Sequence, residues 1–261
     1  RAMLVMSLAA VVFILITVAG TRERVQTIQK RERKAPLREL IAALGMLVKS
    51  KYWIILIGID LMINLVGQFM ATGVPYFSLY ILHDMGKMSL IMLSTVLSNI
   101  VAVMLMPAMT GRFGKRRVLI GALLVTIGGL IGIGLVSPAL KPFLAFNVVY
   151  CLGNGMVKGV SFTLIADLVA YSEETTGEFR PGTGNAGISA TEKLGYGLGV
   201  AIFGFVLAAA GFDATLKVQP AAAIAAINAL FIWIPAVIYA IVLVIFVLFF
   251  DFERKNTNED R

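Results

Sequence analysis

Long apolar stretches, separated by short polar connections, dominate this sequence. Seven of them approach or exceed the roughly 20 residues that a helix needs to cross a bilayer. In chain order they are Met3–Gly20, Tyr52–Leu82, Met88–Met109, Val118–Val136, Pro142–Ile165, about Thr183–Ala210 and Ala221–Phe250. The pattern predicts an all-α membrane protein with seven spans, numbered here as runs one to seven.

The distribution of Lys and Arg between the connections predicts the orientation of the spans. One set of connections (21–51, 110–117, 170–182 and 251–261) holds 17 Lys or Arg residues, whereas the opposite set holds 4. Cytoplasmic loops carry the excess of Lys and Arg in membrane proteins. We therefore expect a multi-pass protein of the cell (inner or plasma) membrane, with loop 21–51 and the C-terminus in the cytoplasm.

The first long connection divides the chain unequally. Residues 21–51 form a charged loop that contains Pro36 and an amphipathic stretch, Leu37–Val48, able to lie on a membrane surface. One isolated run, a long basic loop and six closely spaced runs have the layout of the second half of a two-bundle transporter. Because the chain begins at Arg1 and enters an apolar run directly, we expect its start to lie inside a longer protein.

Composition narrows the possible functions. Apolar residues make up 59% of the 261 residues and charged ones 15%, whereas soluble domains have about 45–50% and 25%. The single cysteine, Cys151, excludes an internal disulfide, and with the single histidine, His83, it leaves too few ligands for the usual Cys/His metal sites. We therefore expect neither an enzyme nor a bound cofactor.

Ionisable residues inside the runs are the best pointers to function, because placing a charge inside a bilayer costs roughly 2.5–3.5 kcal/mol. A rise of about 1.5 Å per residue places Asp60, Lys158 and Lys193 about 12–15 Å from the cytoplasmic surface. That depth is near the midplane, where transporter sites lie, and it would let lysines and acids pair. The acid beside Lys193 is Glu192, and Asp167 lies at a cytoplasmic end.

Runs two, five and six carry these charges, and runs two and five also carry amide side chains. Runs two, five and six are therefore expected to line a water-filled cavity, and the charge-free runs four and seven to face lipid. A structural alternative stays open, since a pair such as Asp60–Lys158 can serve only to fix packing and a single amide can simply bond a neighbouring helix. The amides are Asn64, Gln68, Asn147 and Asn154.

Closely spaced glycines mark two of the runs. Gly195 and Gly199 form a GxxxG pair in run six, a pattern that lets two helices approach closely. Gly153, Gly155 and Gly159 in run five superficially resemble a dinucleotide-binding fingerprint, but no strand precedes them. We expect a kinked or unwound helix there instead.

Several segments together carry a resemblance to a known family. They are Ala166-Asp167 with Ala170-Tyr171, Gly177–Gly182 with its Arg180, Lys193-Leu194-Gly195 with Gly197 and Gly199, and Gly211-Phe212. With these segments the chain resembles the glycoside–pentoside–hexuronide:cation symporters, the melibiose-carrier branch of the major facilitator superfamily. A basic turn, Gly111–Arg117, is similar to that superfamily's turn between helices 8 and 9, and the resemblance covers essentially the whole chain.

The resemblance implies a twelve-helix carrier whose two six-helix bundles alternate access to a solute between them. Residues 1–20 would be helix 6, the last of the N-terminal bundle, and 21–51 the cytoplasmic loop between the bundles. Residues 52–250 would form the C-terminal bundle, helices 7–12, and 251–261 a cytoplasmic tail. The implied partners are helices 1–5, the bilayer and a small glycoside-like or hexuronide-like solute, without nucleic acid. The implied coupling ion is Na⁺ or H⁺, whose site in the family lies mostly in the first bundle.

The resemblance also implies roles for single residues. Lys193 matches the family's helix-11 lysine near the sugar and cation sites, and Ser189 and Glu192 match positions that face the sugar. The predicted substrate and coupling network is Lys193, Glu192, Ser189, Lys158, Asp60, Asn154, Asn64 and Gln68. The predicted cytoplasmic gate, at the end of helix 10 and in the following loop, is Asp167, Tyr171, Glu173 and Arg180.

Two departures from the family pattern bear on the solute and the gate. Lys158 stands where a melibiose carrier has a cavity-facing Trp, and a Trp stacks on a sugar whereas a Lys binds an acidic group. Ala170 replaces the second Asp of the family's A-D-x-x-D-Y pattern, which removes one gate contact. We therefore expect a cation-coupled symporter of a hexuronide or another acidic glycoside. Two alternatives stay open: a carrier of the same fold for a non-sugar solute (organic acid, drug or lipid-like), and a sensor or scaffold without transport.

Overall fold

A computed structural model describes residues 11–17, 20, 51–176, 181–216 and 218–249, without the side chains of 169–176 and 181–186. The chain divides into two compact units, Arg1–Ile41 and Ala42–Arg261. In the first unit, residues 11–17 are helical. The predictions for loop 21–50, for the tail 251–261 and for most of run one lie outside the described residues.

Six helices of the second unit are long and apolar enough to cross a membrane, and each coincides with one of runs two to seven. No strand occurs among the described residues. The prediction of an all-α membrane protein is therefore confirmed. The helices are α1 (Lys51–Tyr76), α2 (Lys87–Phe113), α3 (Lys115–Val136), α4 (Leu140–Thr176), α5 (Pro181–Ala209), α6 (Ala221–Asn228) and α7 (Ile234–Phe249).

Two spans contain a short π-helical segment. Phe77–Ile81 extends α1 beyond Pro75, and Ala229–Trp233 joins α6 to α7, so that residues 221–249 form one span. The two segments pack on each other, because the rings of Phe77 and Phe231 stack with 4.6 Å between their centroids. A π-helical turn often occurs at functional positions in helices, and Phe231 also lines the cavity described below.

Glycines allow two pairs of helices to approach closely. A Cβ atom at Gly195 of α5 would lie 2.8 Å from the Cβ of Asn64, and one at Gly199 would lie 2.7 Å from the Cβ of Gln68. The GxxxG prediction is therefore confirmed: these two glycines form the contact of α5 with α1. In the same way, a Cβ at Gly153 of α4 would lie 2.7 Å from the backbone nitrogen of Thr126 in α3.

The second glycine prediction is wrong in part. The helix α4 is α-helical without interruption from Leu140–Thr176, so it is not unwound at its glycines. A Cβ at Gly155 would lie 2.7 Å from the Cβ of Ala102, and one at Gly159 would lie 2.3 Å from the sulfur of Met106. These glycines therefore make room for α2 rather than break α4.

The charge-free runs four and seven were expected to face lipid. For burial within the described helices this expectation is wrong. Half of the apolar stretch of α3 is buried (50%), and 44% of the span 221–249, compared with 17% for α2 and 22% for α5. The physical reason is that lipid tails are as apolar as a protein core. A run without charges therefore suits either surface, and composition alone does not distinguish them.

The described turns are fixed by positive-φ residues and by side-chain hydrogen bonds. Gly114 separates α2 from α3 with φ +79°, and Gly211 follows α5 with φ +76°, a conformation that glycine adopts without strain. After Gly211, the backbone nitrogen and hydroxyl of Thr215 both donate to the carboxylate of Asp213, at 2.8 and 2.7 Å. These bonds hold the pKa of the Asp213 carboxyl below its usual value.

Candidate functional site

A cavity of about 420 Å³ lies between α1, α2, α4 and the π-helical part of the last span. Its polar lining comes from Asn147, Asn154 and Lys158 of α4 and from Thr95 and Asn99 of α2. Runs two and five line it, as expected. Run six supplies none of the described lining residues, and runs three and seven do so instead.

The polar side chains of α4 share one face of the helix. Asn147, Tyr150, Asn154 and Lys158 are spaced by three or four residues, which places them one above another at 3.6 residues per turn. All four line the cavity. The sequence therefore brings two amides, one hydroxyl and one ammonium group to a single wall.

A buried tyrosine fixes the orientation of Asn154. The hydroxyl of Tyr239 in α7 donates to Asn154 Oδ1 at 2.6 Å, and this Tyr239 is fully buried. Tyr150, which lines the same cavity, is also buried. With its oxygen engaged, Asn154 presents its amide nitrogen, which has no acceptor among the described residues. Run seven thus contributes a positioning group although it carries no charge.

Lys158 extends along the cavity wall to α1. A Cβ atom at Gly67 of α1 would lie 3.2 Å from Lys158 Nζ, so the ammonium passes close to the backbone of α1 at this glycine. The charges of Asp60 and Glu192 act on Lys158, but within the described part of the bundle it forms no ion pair closer than 4 Å with either. The predicted pairing of lysine and acid is therefore a longer-range electrostatic interaction and not a direct salt bridge.

The polar wall of α2 was missed in the sequence. Asn147 Nδ2 donates to Ser94 Oγ at 2.9 Å and to Thr95 Oγ1 at 3.3 Å, which joins α4 to α2. Asn99 donates to the Thr95 carbonyl oxygen at 2.8 Å. The signal that could have identified this wall is the pair of polar dipeptides, 94–95 and 98–99, four residues apart on run three.

Asp60 is held by a second cluster, between α1 and α5. Thr191 Oγ1 donates to Asp60 Oδ2 at 2.6 Å, and Asn64 Nδ2 donates to the same oxygen at 3.1 Å. Two turns further along α1, Gln68 donates to Thr72 at 3.0 Å. The amides of Asn64 and Gln68 are therefore engaged within α1, and not with a neighbouring helix as the structural alternative expected. Thr191 is a residue that the sequence analysis did not single out.

The remaining network residues of α5 lie on different sides of that helix. Thr191 is buried against α1, Glu192 is half-buried, and Ser189 and Lys193 are exposed. A helix turns by about 100° per residue, so Lys193 points about 200° away from Thr191. Tyr196 lies one turn after Glu192 on the same face of α5. The structure thus brings Glu192 near Asp60 and Lys158, and it places Lys193 and Ser189 apart from them.

The end of α4 that carries Asp167 forms an ion pair with the basic turn. Lys115 Nζ lies 2.5 Å from Asp167 Oδ2, with 32% and 45% of the two side chains exposed. This partner of Asp167 was not predicted. The side chains of Tyr171 and Glu173, and all of Arg180, lie outside the described residues.

The cavity presents hydrogen-bond donors that suit the binding of an anion. Groups of three His, Cys, Asp or Glu side chains that could hold a metal ion do not occur in the described part of the chain. An ammonium and an amide nitrogen one turn apart, both facing a cavity, form a donor pair that matches the oxygens of a carboxylate or a similar anion. Helices that span a membrane and enclose such a cavity define a membrane carrier.

Sequence comparison agrees with that class. The chain belongs to the MFS/sugar transport protein family, which it matches over residues 1–254. The predicted membership of the major facilitator superfamily, in its glycoside–pentoside–hexuronide branch, is thereby confirmed. The family consists of transporters, and six apolar spans make this chain a multi-pass membrane protein.

Curated relatives extend the comparison to named carriers. The chain is 34% identical to the isoprimeverose transporter of Lactiplantibacillus pentosus over 236 residues, which are 90% of this chain and 48% of that protein. It is 32% identical to a glucuronide carrier protein homolog of Escherichia coli (strain K12) over 54% of this chain and 31% of that protein. It is 31% identical to the inner membrane symporter YicJ of the same strain over 42% and 25%. The chain spans about half the length of the curated relatives it matches.

Proposed function

We propose that this chain is the C-terminal half of a symporter that couples the uptake of a sugar-like solute to Na⁺ or H⁺ by alternating access. Its membership of a sugar-transport family and its likeness to an isoprimeverose transporter and an inner membrane symporter support the class. The loop 21–51 and the tail are cytoplasmic in this proposal, residues 52–250 form the C-terminal bundle, and helices 1–5 of a first bundle face it across the solute.

The solute in this proposal is an acidic glycoside, such as a hexuronide. The observation that carries the proposal is the donor pair in the cavity, Lys158 Nζ and Asn154 Nδ2. The oxygen of the same Asn154 amide accepts from Tyr239, so its nitrogen is the group presented to the cavity. A neutral sugar offers hydroxyl groups, which satisfy an ammonium less well than a carboxylate does. The likeness to a glucuronide carrier protein homolog supports the same solute class.

The remaining predicted residues also have roles in the proposal. Asp60, with Asn64 and Thr191, forms an acidic centre whose charge acts on Lys158 and responds to the coupling cation. Ser189 and Lys193 act from the exposed side of α5. Gln68 supports the packing of α1 on α5. The cytoplasmic gate comprises Asp167, Tyr171, Glu173 and Arg180.

The test is uptake by the complete gene product in membrane vesicles, measured with glucuronides and with matched neutral glycosides. Replacing Lys158→Gln removes the ammonium and retains a polar side chain of similar length. Because a hydrogen bond to a charged group contributes about 1.5–3 kcal/mol, KM for a glucuronide is expected to rise about 10- to 150-fold. The KM for a neutral glycoside is expected to change less than threefold.

The matched control is Lys141→Gln, which makes the same change in net charge at an exposed position at the start of α4. That variant should retain the acidic preference. A wild-type protein that transports only neutral glycosides, or a Lys158→Gln variant with an unchanged ratio of the two KM values, would contradict the acidic-solute proposal. If small organic acids that are not sugars compete better than glucuronides, the chain belongs to a carrier of the same fold for another solute.

A further inference from the structure

A second concave surface lies on the side of α4 opposite to the central cavity. Leu152 and Met156 of α4 each lie two residues from Asn154, which places them about 200° around the helix from it. With Met109 and Phe113 of α2 and Val125 of α3 they line a groove of about 510 Å³, called here the outer groove. Its walls are apolar apart from Arg117.

Arg117 is the cation of the basic turn that lines the outer groove. Lys115 pairs with an acid on α4, Arg116 donates to the Val247 carbonyl oxygen at 3.4 Å, and Arg112 lies over its neighbouring phenyl ring at 5.5 Å. Arg117 is exposed and forms no ion pair within the described part of the chain. Its guanidinium therefore lies at one end of the groove with its donors free.

The arrangement of charged and apolar groups in the groove is complementary to an anionic lipid. Arg117 belongs to a connection that the Lys and Arg distribution assigns to the cytoplasmic surface. Val125, eight residues further along α3, lies about 12 Å deeper. A cation at the level of the headgroups, followed by an apolar trough that runs into the hydrocarbon, is complementary to a negatively charged headgroup with an acyl chain. Basic pockets between helices on the cytoplasmic side recognise anionic lipids in this way.

The trough remains open because α3 has a glycine on its groove side. A Cβ atom built at Gly121 would meet no atom within 4 Å, so the space beside this lining residue is not filled by the described protein. At the floor, a Cβ at Gly153 would lie 2.4 Å from Thr126 Oγ1. Small residues thus create the depth of the groove, and no described side chain closes it.

From these observations we propose that the outer groove is a binding site for an anionic phospholipid of the cytoplasmic leaflet, with Arg117 on the headgroup phosphate and an acyl chain between α2, α3 and α4. The site is independent of the transported solute. It would tie the basic turn, and through Lys115 the end of α4, to the lipid surface.

The experiment uses the complete transporter, delipidated in detergent and titrated with phosphatidylglycerol or phosphatidylcholine. Native mass spectrometry counts the retained lipid, and the thermal unfolding midpoint reports stabilisation. We expect the wild type to retain phosphatidylglycerol about fivefold more tightly than phosphatidylcholine, as for one basic residue near an anionic headgroup. Arg117→Gln should abolish that preference, whereas Lys141→Gln on the opposite membrane side should keep it.

A second pair of variants tests the trough itself. Gly121→Leu adds a side chain to the groove at a position where a Cβ atom meets no described atom within 4 Å, and it should reduce retention of both lipids. Gly128→Leu, at an equally open glycine of α3 that does not line the groove, should not. Equal retention of the two lipids by the wild type, or an unchanged preference in Arg117→Gln, would overturn the proposal. A third result would also overturn it: Gly121→Leu lowers the unfolding midpoint in the absence of lipid, and phosphatidylglycerol does not change that midpoint. A protein segment would then occupy the groove.

Discussion

The contact between α1 and α5 provides a prediction in which two neighbouring glycines of one helix behave oppositely. Replacing Gly195→Ala would place a Cβ atom 2.8 Å from the Cβ of Asn64, 3.1 Å from the backbone oxygen of Leu61 and 3.1 Å from the backbone nitrogen of Leu65. Two of these three atoms belong to the backbone of α1, so a change of side-chain rotamer does not relieve the clash. The two helices must therefore move apart.

The required displacement and its consequence follow from the distances. An ordinary van der Waals contact begins near 3.4 Å, so the helices must separate by about 0.6 Å. Overpacking of this kind costs about 1–3 kcal/mol. One turn away, the hydrogen bond of Thr191 to Asp60 is 2.6 Å long. The same displacement would stretch it to about 3.2 Å, beyond the usual range for a hydroxyl donor.

The control is Gly197→Ala in the same helix, where an added Cβ meets no atom within 4 Å. Because alanine favours a helix over glycine by about 1 kcal/mol, this substitution should leave stability unchanged or raise it. The assay is the thermal unfolding midpoint of the complete transporter in detergent, together with uptake in vesicles. Gly195→Ala should lower the midpoint and impair uptake. Equal midpoints for the two variants would refute the close packing of α1 on α5 deduced here.

Three further substitutions test individual contacts. Thr191→Val should destabilise the protein by about 1.5–3 kcal/mol, measured by thermal unfolding, because Asp60 loses a hydroxyl donor; Thr191→Ser, which retains the hydroxyl, should restore most of it. Tyr239→Phe should raise KM for an acidic solute about 3- to 10-fold in uptake assays, since Asn154 is then free to rotate its amide; an unchanged KM would contradict the positioning role. Lys193→Ala should abolish coupled uptake without changing the folded yield, because its side chain is exposed; normal uptake would remove Lys193 from the proposed network.

The positions of the six described spans could be predicted because bilayer thickness imposes length and apolarity directly on the sequence. The bounds agree within a few residues for most spans, as for Tyr52–Leu82 against Lys51–Ile81. The run Pro142–Ile165 agrees with the span Leu140–Leu168, but the helix α4 itself continues to Thr176, beyond the apolar part. The cause is that a helix can extend past the bilayer on polar residues, where hydropathy no longer indicates its end.

The neighbours of each polar side chain could not be predicted in the same way. Asp60, Lys158 and Lys193 were expected at one depth, but depth does not determine which way a side chain points. Lys193 follows Glu192 directly, yet the 100° turn per residue places it on the other side of α5 from Thr191. Rotation of each helix about its axis is set by packing, here by the glycines of α5, and the apolar runs carry little information about it.

Hydrogen-bonding capacity separates the polar groups of the bundle into two sets. The carboxylate of Asp60 accepts from Thr191 of α5 and from Asn64 of α1, so the bond from Thr191 holds α1 to α5. The ammonium of Lys158 and the amide nitrogen of Asn154 have no acceptor among the described residues and line a cavity. An unsatisfied donor in a bilayer costs several kcal/mol, so such groups persist only where water or a solute reaches them. An anionic oxygen in the cavity would satisfy both donors together, and this is why the charge of the solute, more than its ring, is expected to decide what the carrier binds.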